Sequence, residues 1–475
     1  MILTPKILRP LDVYKHLPGT NCAKCGEVNC MAFAAKLIER EKKIEDCPPI
    51  FEPKYKAKLE GLREVLRPPV KEVTIGVGDR AVTIGGKVCV YRHELTWYRP
   101  TALFFDVTDE APDEEVMKRV KTVESFEYER IGAKIRLQGI AVRCTSGDRD
   151  KFAKMVSRIS EASNLPLVLC SYDPDVIEEA LIVAGKRRPL IYAATKDNWF
   201  KMSKLALKYE CPLTVSAPGD LSMLKSLAAT MRKLGLDDLV LDPGTFVEAD
   251  MLSETVNAFT MLRLAAIEGE DKDLGYPLMA VPAAVWLNPE KNEVLVKMRE
   301  SYLANLLIAR YADLMIMHSL DPWVLLPILV WRQNVYTDPR TPLSVKPGLY
   351  EIGPVDDKTP IFVTGNGALT YFLVKGDVER SGKGYLISID TEGISVESSV
   401  AGKRFTAEKV VEALKSSGVE KKVKHRTVII PGKAARISGE LEELLQGWRV
   451  FVGPKDCSGI PEFVEKVWSK EVKLE

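Results

Sequence analysis

The sequence contains no apolar run of about 18 residues, and no apolar stretch follows its opening Met-Ile-Leu-Thr-Pro-Lys. We therefore expect neither a helical membrane span nor a signal peptide, and a cytoplasmic protein. Charge of one sign is also missing, because 67 Lys and Arg offset 66 Asp and Glu for a net charge of +1, with both signs interspersed. That removes the basic footprint expected of a nucleic-acid or anionic-membrane binder. A disulfide framework is absent too: of nine cysteines, Cys89, Cys144, Cys170, Cys211 and Cys457 are scattered, the first four in or beside apolar runs where buried thiols are ordinary.

The other four cysteines are concentrated near the start, in Leu17-Pro-Gly-Thr-Asn-Cys22-Ala-Lys-Cys25-Gly-Glu-Val-Asn-Cys30 and Asp46-Cys47-Pro-Pro. A tight turn with three thiolates and a fourth returned by a helix can enclose one metal centre, either a [4Fe-4S] cluster or an all-cysteine zinc site. Structural zinc sites usually pair two C-x2-C knuckles, whereas Cys47 stands alone before a proline whose fixed φ holds the last ligand in place. The spacing favours the cluster, with Cys22, Cys25, Cys30 and Cys47 as ligands. Between them, Met31, Phe33, Ala34, Leu37 and Ile38 recur at helical spacing, so a short amphipathic helix can cover the centre.

A chain of 475 residues should hold about three domains. After a charged helical stretch and Pro68-Pro69, alternation on both sides of polar turn residues from Val73 onward predicts a β-hairpin. Eight apolar runs then alternate with helical stretches: residues 102–107, 139–144, 166–171, 189–194, 212–217, 238–242, 277–281 and 314–318. This is the pattern of a (β/α)8 TIM-like barrel, favoured over a doubly wound sheet, which seldom needs eight units.

Loops after barrel strands carry function, and here they offer Asp106, Asp109, Thr145, Asp148, Tyr172, Asp173, Asp175, Thr195, Lys196, Asp197, Asn198, Asp220, Asp242, Thr245 and His318. Asp before a helix is an ordinary N-cap, and His318 at a strand end reads as a packing residue. The sequence therefore assigns no catalytic residue to the barrel.

Residues 334–350 hold three prolines and no periodicity, which marks a linker or a loop held against something. A second α/β unit follows, Rossmann-like or flavodoxin-like, with strands near residues 359–364, 384–390, 426–430 and 449–452. Gly-rich loops follow three of them, at Thr364-Gly-Asn-Gly, Pro431-Gly-Lys and Gly453-Pro-Lys-Asp-Cys-Ser-Gly. Such loops suit a ligand at the carboxyl ends of parallel strands, although none is a dinucleotide fingerprint or a P-loop, and plain turns remain open.

The cysteine segment, residues 73–92, Tyr336-Thr-Asp-Pro, and Thr364-Gly-Asn-Gly-Ala-Leu-Thr-Tyr-Phe with Asp390-Thr-Glu-Gly393 together resemble one family over nearly the whole chain. It is the large (gamma) subunit of the corrinoid/iron-sulfur protein of acetyl-CoA synthesis, in its archaeal acetyl-CoA decarbonylase/synthase form. The resemblance implies a [4Fe-4S] domain over residues 1–60, a barrel over 61–335, and a linker plus cobamide-binding domain over 336–475. It also implies a methyltransferase component: a corrinoid methyl carrier that accepts a methyl group from a methyl-tetrahydropterin on Co(I) and delivers it to the synthase metal cluster. The [4Fe-4S] cluster would re-reduce Co(II). Implied partners are the small (delta) corrinoid protein subunit as a heterodimer, the acetyl-CoA synthase subunit, and methyl-tetrahydropterin or its methyltransferase.

By the same resemblance, Leu369, Thr370, Tyr371 and Phe372 lie beneath the corrin, while Thr341, Val345, Gly432, Ala435, Gly453, Ser458 and Gly459 line its edge and nucleotide tail. One family of cobamide domains sets a histidine under cobalt with an Asp-x-His-x-x-Gly motif, and no such motif occurs here. The C-terminal histidine, His425, lies in the charged run Lys421-Lys-Val-Lys-His-Arg and is expected in a solvated linker. Omitting a strong axial nitrogen makes Co(I) easier for a low-potential cluster to reach. Two other readings stay open. One is a pterin-binding methyltransferase whose barrel holds the methyl donor, suggested by Asp242-Pro-Gly and Asn198; the other is an iron-sulfur electron-transfer or scaffold subunit.

Overall fold

Helices α1 (Pro10–Tyr14), α2 (Cys30–Ile38) and α3 (Lys56–Val65) are too short to persist alone, and they share one small apolar core built on Val13, Leu17, Phe33, Leu37, Ile50 and Leu62. They belong to a computed structural model that describes residues 8–248, 250–287 and 292–471. The opening Met-Ile-Leu-Thr-Pro-Lys, and with it the expectation of no signal peptide, lies outside the described residues. No helix among the described residues is long and apolar enough to cross a membrane. The chain forms two compact units, one running up to Phe126 and from Arg136 to Tyr336, the other formed by Glu127–Ile135 and the chain from Thr337 onward.

In the first unit the expected hairpin is present: β1 (Glu72–Ile75) pairs antiparallel with β2 (Val82–Gly85). Its Val73, Ile75 and Ile84 pack against Ala102, Phe104, Val168, Leu190 and Leu314, so it closes the amino-terminal end of the barrel. Arg40 ties the cysteine-bearing helices to this hairpin, donating to Glu72 Oε1 at 2.6 Å and stacking on the Tyr98 ring.

The first barrel strand, β3 (Ala102–Thr108), leads into α4 (Asp113–Ser125). An excursion of two strands follows, β4 (Glu127–Arg130) and β5 (Ala133–Arg136), which the sequence reading did not foresee. The pattern then runs β6 (Gly139–Arg143), α5 (Arg149–Ala162), β7 (Leu167–Cys170), α6 (Pro174–Ala184), β8 (Leu190–Ala194), α7 (Trp199–Tyr209), β9 (Leu213–Ser216) and α8 (Leu221–Lys233). It ends with β10 (Leu239–Asp242), α9 (Leu252–Ile267), β11 (Met279–Ala280), α10 (Glu293–Ala309), β12 (Leu314–Met317) and α11 (Pro322–Val335). The eight parallel strands lie in the order β10-β9-β8-β7-β6-β3-β12-β11, and a bridge between Leu241 and Leu278 joins the two ends. Strands buried on both faces read as continuous apolar runs, which is why all eight were visible in the sequence.

In the second unit a short edge strand, β13 (Gly348–Ile352), precedes β14 (Ile361–Gly365), α12 (Ala368–Arg380), β15 (Gly384–Ile389), α13 (Val396–Ala401), α14 (Ala407–Ser417), β16 (Thr427–Ile430), α15 (Ser438–Leu444) and β17 (Arg449–Val452). The order is β13-β15-β14-β16-β17, antiparallel only at β13. Among the parallel strands this is the flavodoxin-like order, so the chain reverses direction between β14 and β16. Residues alternate cleanly: Ile361, Val363, Ile387, Val428 and Ile430 face the core of α13, α14 and α15, whereas Phe362, Leu386 and Ile429 face Tyr371 and Val378 of α12. The β4–β5 hairpin belongs to this unit. Its Gly132, at φ +71°, lies against Phe372 so closely that a Cβ would collide with the ring.

Candidate functional site

The cysteine loop is coiled by left-handed backbone at Gly19, Asn21, Ala23 and Gly26. Asn21 Oδ1 accepts from Cys30 N at 2.9 Å, fixing the first residue of α2 to the loop, and Lys42 Nζ donates to Cys25 O at 3.1 Å. Cys30 and Cys47 are buried at the edge of the helical core, Cys25 is half-buried and Cys22 is exposed. Burial pushes the Cys47 thiol up, and Cys25, Cys30 and Cys22 add to the rise, so the Cys47 sulfur lies within electrostatic reach of the other three. A backbone bond from Lys24 and the Thr20 hydroxyl draw Cys22 down. Among the described residues no three ligating side chains are drawn to coordination distance. The donor set nonetheless fits: four soft thiols beside an apolar core is what a cluster or an all-cysteine zinc site requires.

At the carboxyl-terminal mouth of the barrel most of the loop residues hold the loops themselves. Asp148, Asp173 and Asp220 cap α5, α6 and α8 through their side chains. Asp109 accepts from Thr145 and Ser146, and Asn198 bonds Thr195, Tyr172 and Ala193. Thr245 Oγ1 accepts from Val281 N and Asp175 pairs with Lys201, while Asp106, Asp242 and His318 stand in settings that suit chemistry.

Asp242 is 2% exposed, and the groups that contact it are neutral: Tyr192 and Ser216 hydroxyls at 2.8 and 2.9 Å on Oδ2, and Gly244 N–H at 2.9 Å on Oδ1. Burial raises its pKa further than these bonds lower it. Asp106 is the opposite case. Burial alone would raise it, but the bond to His318 and the charges of His318, Arg143 and Arg119 hold its carboxyl below the usual range. His318 Nδ1 donates to Asp106 Oδ1 at 2.6 Å, and Arg143 Nε stands 2.8 Å from Oδ2. His318 is therefore not the plain packing residue the sequence suggested.

The sequence reading passes over Glu300, a fully buried acid on α10 that accepts from the backbone of His318 and Ser319 and from Trp286 Nε1 at 2.9 Å. Burial raises its pKa. Its position inside an otherwise apolar helix face was the one available signal.

In the second unit the residues expected around a corrin fall into two groups at the carboxyl ends of the strands. One is the start of α12, where Leu369 is exposed, Thr370 and Phe372 are half-buried and Tyr371 is buried. The proline-rich segment is strapped to it: Ser344 bridges Gly367, Val345 N donates to Asn366 O at 2.8 Å, and Ala368 N donates to Leu343 O at 2.8 Å. Val345 joins the apolar cluster of Tyr371 and Phe372, while Thr341 is exposed just ahead of it. The second group is the pair of loops after β16 and β17. Gly432 N donates to Pro454 O at 3.1 Å, and a Cβ on Gly432 would sit 2.7 Å from Gly453 O. The Cys457–Gly459 turn, carrying Ser458 and Gly459, packs against α12, and Ala435 is exposed. Both groups flank the place where the chain reverses between β14 and β16, the usual ligand crevice of such a sheet.

His425 corrects an expectation. Instead of lying in a solvated linker it is buried, with Nε2 2.9 Å from Thr359 O and its ring 4.8 Å from that of Trp468. The charged run ends where β16 begins, and Trp468 covers the strand entry. This places the imidazole at the amino-terminal ends of β14 and β16, away from the crevice at their carboxyl ends.

A family model described as CO dehydrogenase/acetyl-CoA synthase delta subunit matches residues 72–464, and one described as a putative Fe-S cluster matches residues 17–49. The chain is 44% identical over 467 residues to acetyl-CoA decarbonylase/synthase complex subunit gamma 2 of Methanosarcina thermophila, covering 98% of this chain and 99% of that one. It is 43% identical over 469 residues to subunit gamma of Archaeoglobus fulgidus, with the same coverage. The delta-named model begins after the four clustered cysteines, whereas the match to the gamma subunits spans them, so the gamma likeness is the more complete. Among solved structures, dihydropteroate synthase of Thermus thermophilus aligns over 55% of this chain and 97% of that chain, at 14% identity and a TM-score of 0.37.

Proposed function

Because the chain belongs to the gamma-subunit family of the acetyl-CoA decarbonylase/synthase complex, we propose that it is the complex's corrinoid methyl carrier, working over three regions, 1–60, 61–335 and 336–475. The corrinoid, when bound, supplies a Co(I) nucleophile that takes a methyl group from a methyl-tetrahydropterin and gives it to the synthase metal cluster, while a [4Fe-4S] cluster supplies the electron that rescues Co(II). The small (delta) subunit and the synthase subunit are its partners in this reading.

The observation that carries it is the crevice. Leu369 and Leu373 are 61% and 55% exposed on α12, an apolar face left open beside Thr370 and the strap at Val345. The one imidazole of this unit, His425, is buried at the far end of the sheet. These residues can floor a flat macrocycle without giving cobalt a nitrogen, which favours its reduction. Cys22, Cys25, Cys30 and Cys47 would hold the cluster, with the apolar core behind Cys30 and Cys47 limiting solvent.

A second reading, in which the barrel itself holds the methyl donor, is supported by Asp242. A buried carboxyl contacted only by hydroxyls and one N–H has capacity to pair with the amino-pyrimidine edge of a pterin. The two readings combine in one protein that receives and carries the methyl group.

The test is label transfer. The reduced, corrinoid-loaded chain is incubated without oxygen with radiolabelled methyl-tetrahydropterin and separated from it. Label should travel with the protein and leave it when the synthase subunit is added; label that stays with the pterin contradicts the carrier role.

A further inference from the structure

The barrel mouth contains a positioned proton donor. We infer that His318 is the general acid of methyl transfer and Asp106 its positioning residue; this rests on the reading that the barrel holds the methyl-tetrahydropterin.

The geometry is that of an oriented imidazole. His318 follows β12 and Asp106 lies on the neighbouring β3, so the two side chains meet across adjacent parallel strands at 2.6 Å. An ionised Asp106 cannot donate, so the proton between them belongs to Nδ1. Nε2 has no bond to another described residue, and the side chain is 33% exposed. Everything else about the imidazole is fixed. Glu300 holds the backbone of His318 and Ser319, Arg119 donates to His318 O at 2.6 Å, and the Trp286 ring lies 4.6 Å away. The charged groups that face His318 are Asp106 from β3, Arg143 from β6, Arg119 from α4 and Glu300 from α10. Such restraint is what a proton donor needs.

The reaction supplies the need. When the methyl group leaves a tetrahydropterin, the N5–CH3 bond breaks with its electron pair left on N5. The carbon forms its new bond with the electron pair of the attacking cobalt nucleophile. An uncharged N5 leaves as an amide-like anion unless a proton reaches it. The proton moves from Nε2 of His318 to N5, leaving a neutral imidazole that Asp106 keeps in one tautomer and that solvent reprotonates. Asp242, at the end of β10 two strands away, is placed to hold the heterocycle at the same end of the barrel.

The test uses the full-length, iron-loaded chain, with tetrahydropterin as the binding probe and free cob(I)alamin as the methyl acceptor. His318→Gln should bind tetrahydropterin within about twofold of wild type, while methyl transfer falls about 10²–10⁴-fold and loses its alkaline fall-off. Asp106→Asn should keep the fall-off but move it to lower pH, because the carboxylate that stabilises the imidazolium is gone. If His318→Gln does not fold, the Asp106→Asn profile decides. Transfer undiminished in His318→Gln, or a profile unmoved in Asp106→Asn, overturns the acid role while pterin binding stands. Wild-type protein that fails to bind tetrahydropterin overturns the barrel reading and the acid role with it.

Discussion

Asn366 and Thr391 are joined twice: Asn366 Oδ1 accepts from the Thr391 backbone N–H at 2.9 Å and from its hydroxyl at 3.0 Å. The same oxygen takes Gly393 N–H at 3.0 Å, Nδ2 donates to Asp390, and the Asn366 carbonyl receives Val345 N–H. One side chain, 4% exposed, thus fixes the loop after β14 to the loop after β15, and its backbone holds the strap from the proline-rich segment. The proposed corrin floor begins three residues later, so its placement depends on this joint.

Replacing Asn366 with Leu would strip the Thr391 and Gly393 N–H groups of their acceptor in a buried site and leave the Thr391 hydroxyl only Ile394 O. The second unit should lose about 2–4 kcal/mol, measured by urea unfolding of the full chain, and corrinoid should be retained poorly. Asn366→Asp keeps the acceptor but sets a carboxylate beside Asp390, and should fall between the two.

Gly367 and Gly376 separate close approach from flexibility. A Cβ on Gly367 would sit 2.8 Å from Gly393 O, so Gly367→Ala should cost about 1–3 kcal/mol and weaken corrinoid binding. Gly376 lies inside α12 with nothing within 4 Å, so Gly376→Ala should stabilise by about 0.5–1 kcal/mol and leave binding alone. Thermal unfolding and corrinoid titration of both variants check the contrast.

How much of this was legible follows from where burial makes a pattern. The eight barrel strands were visible because both faces are buried, and the hairpin at Val73 because one face is. The β4–β5 excursion was hidden: Glu-Tyr-Glu-Arg and Ala-Lys-Ile-Arg carry charge at most positions, and their partner is far away in sequence. The edge strand β13 was read as linker, since the prolines before it outweighed five residues paired only on one side. His425 was misread because neighbouring lysines mark solvent, whereas the strand entry at Thr427 decides its burial. Asn366 looked like one more turn residue between two glycines, and nothing local shows that its side chain reaches Thr391.

Cysteine replacement tests the N-terminal assignment. Cys47→Ser removes a buried ligand position and should abolish the visible iron-sulfur absorption and lower bound iron by at least half, while the barrel stays folded. The same replacement at Cys457, outside the set, should leave iron content unchanged.

The two barrel acids should respond to pH in opposite directions. Asp106 is held below its ordinary value, so its stabilisation is present above about pH 4 and is lost as pH falls through its lower folded value. Asp242 is raised, so its contribution is complete below the ordinary carboxyl value and is lost as pH rises through the folded one. Asp242→Asn should therefore match wild type in acid, exceed its stability on the alkaline side, and lose tetrahydropterin affinity. Denaturant unfolding at several pH values with a parallel binding assay reads both effects.

The central claim is a cobalt carrier that gives its metal no nitrogen and reduces it with its own cluster. Protein purified without oxygen, supplied with cobamide and its partner subunit, should contain about four iron and one cobalt per chain. It should also show a base-off Co(II) EPR signal that vanishes on reduction. Iron without cobalt under those conditions, or a Co(II) signal split by an axial nitrogen, would contradict the account.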